Sequence, residues 1–109
     1  MEDFVKGDVV VLNFPFSDMT ATKKRPALVL AASQYGAVLC QITSQERNDP
    51  QSVRLDAKDF ENGGLNIPSF IRTSILFTAD MSLILYKAGK VKKQKLNEVV
   101  DLVCKMLKK

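Results

Sequence analysis

Apolar residues come along this chain in short runs separated by polar breaks, and the spacing within the runs changes once. Residues 8–14 hold Val9, Val10, Val11, Leu12 and Phe14 and stop at Pro15, which predicts a first strand. Segment 16–24 carries Ser17, Asp18, Thr20 and Thr22 with two lysines, the composition of a loop. Residues 26–32 predict a second strand, 33–36 a turn and 37–42 a third strand, the two strands forming a hairpin. Segment 43–51 is polar and contains Asn48, Asp49 and Pro50, a turn signal. A short alternating strand at 52–55 follows, then an irregular stretch at 56–68, a strand at 69–78 and a short strand or strand end at 82–86. Over 93–108 the period becomes helical: Leu96, Val99, Val100, Val103 and Leu107 recur on one stripe, with Cys104 beside them. Lys92 or Lys93 stands where Ser, Thr or Asp would cap this helix, so a frayed first turn is expected. Lys105, Lys108 and Lys109 suit the negative end of the helix dipole.

Short strands in succession, then one helix, without a strand–helix alternation, predict a mainly β fold. The expected architecture is a small, strongly curved sheet or barrel of short antiparallel strands closed by the C-terminal helix. At 109 residues and 46% hydrophobic content, the chain fits a single domain over 1–109 with a small core of its own. No apolar run approaches the roughly 20 residues that span a bilayer. The first residues, acidic and then apolar, are unlike a secretory signal, so a cytoplasmic protein with no membrane partner is expected.

The chain has no histidine and only Cys40 and Cys104, far apart in sequence, so a zinc site of the usual Cys/His kind is not expected. Both cysteines have apolar neighbours and read as reduced core residues. The net charge of +4 is uneven: residues 87–109 carry eight lysines against Glu98 and Asp101, or +6, leaving −2 for the rest. A basic segment of this kind suits nucleic acid and equally suits the solvated face of a helix.

Lys23, Lys24 and Arg25 meet Pro26 at the entrance to the second strand. A residue before proline is held in an extended conformation. A guanidinium fixed there suits a phosphate, which it grips through parallel hydrogen bonds, although an ordinary surface charge is the plainer alternative. If 26–32 and 37–42 form a hairpin, antiparallel pairing brings Arg25 beside Thr43 at one rim of the sheet. A cation beside a hydroxyl suits a phosphodiester. Acyl transfer is not expected, because no histidine activates Thr43 or Ser44. Asp18, Glu46 and Asp49 are loop carboxylates that could act as a base or simply be solvated. Arg72 could reach a nucleic acid or a partner. Phe14, Phe16 and Phe70 could stack bases or pack in the core.

The stretch from Gly7 through Asp18, followed by Lys24, Arg25, Pro26, Ala27, Leu28, Val29 and Leu30, resembles the opening of the MazF/PemK toxins. Ile42, Thr43 and Ser44 resemble the family's second motif; Ser69 to Arg72, then Leu76 to Asp80, resemble its third region. Gly89, Lys90 and Val91 with the last helix resemble its end, so the likeness runs over nearly the whole chain. The resemblance implies an SH3-like barrel, a homodimer, and the toxin of a type II toxin–antitoxin system. It implies a sequence-specific endoribonuclease that cuts single-stranded RNA, as an mRNA interferase does, without a metal or other cofactor. The ribose 2′-hydroxyl attacks phosphorus, leaving a 2′,3′-cyclic phosphate and a 5′-hydroxyl. Arg25 and Thr43 match the family's catalytic pair, and Ser17, Lys23, Lys24, Ser44, Gln45 and Arg72 are the expected substrate contacts. A cognate acidic antitoxin is the expected partner, with DNA binding by the complex. Some members carry a glutamate just before the arginine; Lys23 and Lys24 occupy that stretch here. Two alternatives are a non-catalytic CcdB-like toxin, whose apolar, tryptophan-bearing end this chain lacks, and an SH3-like protein-binding module.

Overall fold

Neighbouring side chains in a strand point to opposite faces, and here the central strands are apolar on both. The computed structural model of the chain describes residues 4–15, 22–46 and 48–109. Within them run β1 (Asp8–Pro15), β2 (Thr22–Ser33), β3 (Gly36–Thr43), β4 (Ser52–Leu55), β5 (Phe60–Gly63), β6 (Ser69–Ala79), β7 (Ile84–Val91) and α1 (Lys93–Leu107). The strands form one antiparallel sheet in the order β4-β6-β3-β2-β1-β7-β5. It is the mainly antiparallel half-barrel with one C-terminal helix that the residues predicted.

Alternation explains the two cores. Val9, Leu28, Cys40, Ile42, Val53, Leu55 and Ile71 turn to one face and pack with Val99 and Val103 of α1. Val10, Leu12, Ala27, Val29, Ala37 and Leu39 turn to the other, with Phe4, Ala79 and Ile84. A strand buried on both faces reads as a continuous apolar run, which is why Val9 to Leu12 shows no alternation in sequence. Gly36 closes the β2–β3 hairpin at φ 148°, and a Cβ there would lie 2.6 Å from the Ala79 carbonyl oxygen.

Several expectations are corrected. The polar loop ends earlier than expected: Thr22, Lys23, Lys24 and Arg25 belong to β2, paired with Pro15, Phe14, Asn13 and Leu12. Cross-strand pairing overrides the low strand preference of the lysines. The 56–68 stretch is not irregular throughout. It holds a 3-10 turn, Ala57–Asp59, and β5, whose residues gain strand structure by pairing with β7. The 82–86 segment splits between a 3-10 turn, Met81–Leu83, capped by Asp80, and the start of β7. The first turn of α1 is held rather than frayed. The Lys92 N–H donates to the Asp59 carbonyl at 2.8 Å, and Lys95 Nζ donates to the Arg54 carbonyl and Glu98, each at 3.0 Å. Leu107 leaves the apolar stripe and is 67% exposed. Cys104 is exposed, not core; Cys40 is buried, and burial pushes its thiol up to about 12.

Candidate functional site

Strand register decides which polar side chains meet. Ala27 pairs with Gln41 across β2 and β3. The β2–β3 ladder ends at that pair; Arg25 and Thr43 stand two residues farther out on their strands, on the face that Ala27 and Gln41 share, and extending the register would set them opposite one another. Leu12 pairs with Arg25 on β1, Thr43 with Phe70 on β6, and Phe70 with Arg54 on β4. A single cross-strand row therefore runs Leu12, Arg25, Thr43, Phe70, Arg54. The row beside it runs Val10, Ala27, Gln41, Arg72, Ser52. Cross-strand partners share a face. Val10, Leu12 and Ala27 belong to the second core. The same face thus changes from apolar to cationic and polar on crossing from β1 to β4.

Thr43 is 8% exposed, and its Oγ1 accepts the Gln45 N–H at 3.2 Å. A hydroxyl that accepts one bond still has its own proton to donate. Arg72 is fastened from two sides. Its Nη1 donates to Gln41 Oε1 at 3.4 Å, and its Nη2 lies 3.7 Å from Asp49 Oδ2. Asp49 in turn accepts the Gln51 N–H at 2.9 Å, and the Gln51 carbonyl accepts the Thr73 hydroxyl at 2.5 Å. A bulge makes this possible. Cys40 pairs with Leu76 and Gln41 with Arg72, so residues 73–75 are extra on β6. Bulges re-aim side chains in this way. Arg72 Nε and Asp49 Oδ2 are buried without a hydrogen-bond partner, which marks a cluster with spare polar capacity.

The expected contacts divide. Lys23 is exposed, pairs with Phe14 and shares a face with Arg25 two residues on, whereas Lys24 pairs with Asn13 and turns to the opposite face. Ser44, Gln45 and Glu46 are exposed just beyond Thr43. Ser17, Asp18 and Phe16 lie outside the described residues. Phe14 packs edge-on against Phe77, with ring centroids 4.7 Å apart, a core role. Sequence reasoning missed Arg54 and Gln41. The Arg54 guanidinium carbon sits 5.8 Å over the Phe70 ring, and its Nε donates to both Asp56 carboxylate oxygens at 3.0 Å. Its signal was the alternation at 52–55, which sets Arg54 on the face opposite Val53 and Leu55.

A model of the PemK-like, MazF-like toxins of type II toxin–antitoxin systems matches residues 5–107. No curated protein matches by sequence. Among solved structures, a mycobacterial endoribonuclease in complex with its cognate antitoxin shares 14% identity, with TM-score 0.77 over 97% of this chain and 96% of that one. MazE–MazF from Deinococcus radiodurans shares 23% identity, with TM-score 0.76 over 95% of each chain. MazF from the same organism shares 25%, with TM-score 0.75 over 98% of this chain and 100% of that one.

Proposed function

The chain belongs to the PemK-like, MazF-like family of toxins of type II toxin–antitoxin systems, and from that premise we propose that it is an endoribonuclease cutting single-stranded RNA at the Arg25–Thr43 row. The observation that carries the reading is the β2–β3 register, which when extended two residues brings Arg25 and Thr43 to one end of the same face. Arg25 balances the charge that builds on the pentacoordinate phosphorus, and Thr43 donates its hydroxyl to a phosphate oxygen. The ribose 2′-oxygen bonds to phosphorus as the bond to the 5′-oxygen breaks. The 2′ proton passes to a base, for which the described site offers Glu46 and Asp49, and the departing 5′-oxygen takes up a proton. The products are a 2′,3′-cyclic phosphate and a 5′-hydroxyl, with no metal in the step. Lys23, Ser44, Gln45 and Arg72 line the surroundings, Arg72 chiefly by holding the 44–51 segment; Ser17 and Lys24 remain substrate contacts in this reading.

An acidic antitoxin segment lying across the same cations would block the site, with an affinity that falls as salt rises. The apolar groove of Leu12, Phe14, Ile75, Phe77 and Leu83, about 440 Å³, supports a homodimer, since Ile75 and Leu83 are exposed at its edge. The test is the chemistry of the new ends. Fragments whose 5′ ends accept a phosphate from polynucleotide kinase without prior dephosphorylation support 2′-hydroxyl attack. Fragments with 5′-phosphate ends refute it.

A further inference from the structure

Phe70 and Arg54 close the outer end of the row that begins at Arg25, and nothing in the proposed reaction uses them. Phe70 is half-buried in β6. The Arg54 side chain is 60% exposed, and Asp56 restrains it at Nε. The guanidinium carbon stands 5.8 Å over the ring. That centroid distance exceeds a van der Waals contact of about 3.5–4.0 Å and falls about one to two ångström short of two such contacts. A small swing of an exposed arginine would therefore open a slot one planar ring thick. Phe70 is also the direct partner of Thr43, so the Cβ atoms of the two residues stand about 5 Å apart and the slot begins beside the residue assigned to phosphate.

We infer that Phe70 and Arg54 form a stacking slot that takes an unpaired nucleobase of the RNA next to the phosphate held by Arg25 and Thr43. The inference rests on the endoribonuclease reading for its substrate, yet its chemistry is separable from cleavage. Aromatic and guanidinium planes hold bases by their π faces, which is tolerant of base identity. The slot therefore selects single strands over duplexes, because a paired base has no free face to insert. It positions substrate and takes no part in proton transfer.

The test uses binding, so that it does not depend on turnover. The probes are a random-sequence 2′-O-methyl 12-mer, which cannot be cut by 2′-hydroxyl attack, and a base-free backbone of the same length. Wild-type protein should prefer the base-bearing strand by about tenfold or more. Phe70→Leu should lose most of that preference while binding the base-free strand as the wild type does. Arg54→Ala, a change at an exposed side chain, should lose part of it without disturbing the fold. Retention of the full preference by both variants overturns the slot. Absence of RNA cutting by the wild type with the preference intact overturns the nuclease reading and leaves the slot standing.

Discussion

The strand pair β3–β6 is one ladder with two halves of opposite character. In the inner half, Ala37 and Leu39 face Ala79 and Phe77, and the side chains on that face are core. In the outer half, Gln41 and Thr43 face Arg72 and Phe70 on the same side of the sheet, and they form the candidate site. The bulge at 73–75 lies between them. Stability and chemistry are thus separated along the length of a strand pair rather than between its two faces. The inner half anchors the strand pair, and the bulge shifts the register by three residues on β6 before the outer half begins.

The largest effect expected from this division is on rate, in the outer half. Arg25→Ala should lower RNA cleavage by about 10²–10³-fold, with thermal unfolding little changed. Arg25→Lys should recover little of this, because an ammonium lacks the planar fork. In the inner half the pattern reverses. Leu39→Ala should cost about 2–5 kcal/mol of stability, measured by denaturant unfolding, with cleavage per folded molecule near wild type. At the boundary, Thr73→Val removes one donor to the Gln51 carbonyl. It should cost about 1 kcal/mol and quicken hydrogen exchange in 44–51, joining a small loss of stability to a small loss of rate.

Two smaller effects sharpen the inner side. The Cys40 thiol, pushed up to about 12 by burial, should stay unmodified in the folded protein while exposed Cys104 reacts. A thiol titration giving one equivalent in buffer and two in denaturant checks this. Asp80 accepts the Ser82 N–H at 3.0 Å, which holds its carboxyl below the usual carboxylate range. A lowered folded value means that its contribution is present above the unfolded carboxylate range and lost as pH falls through the folded value. Asp80→Asn, which still caps, should flatten that slight acid loss.

Much of the inner half was legible in the chain. Burial on both faces erases alternation there, but β-branched runs ending at Pro15, at the 33–36 turn and at Thr43 marked β1, β2 and β3, and the helical stripe marked α1. The hairpin itself was legible, but its turn register alone would set Arg25 opposite Ser44; an irregularity between Val29 and Ala31 shifts the β2–β3 register by one residue toward Thr43, and no local pattern marks that shift. What was hidden depends on distant pairing. Glu61, Asn62 and Gly63 show no strand preference and become β5 only against β7. Arg54 joins the row only through the β4–β6 register, and Arg72 acquires its partners only because a bulge re-aims it. No local pattern announces either.

The most direct test of the central claim is cleavage of a long single-stranded RNA in EDTA by the wild type and by Arg25→Ala, each shown to be folded. The account predicts discrete cuts by the wild type that the variant makes at least about a hundredfold more slowly. Equal cutting by both proteins, or none by a folded wild type across a range of RNAs, would contradict it.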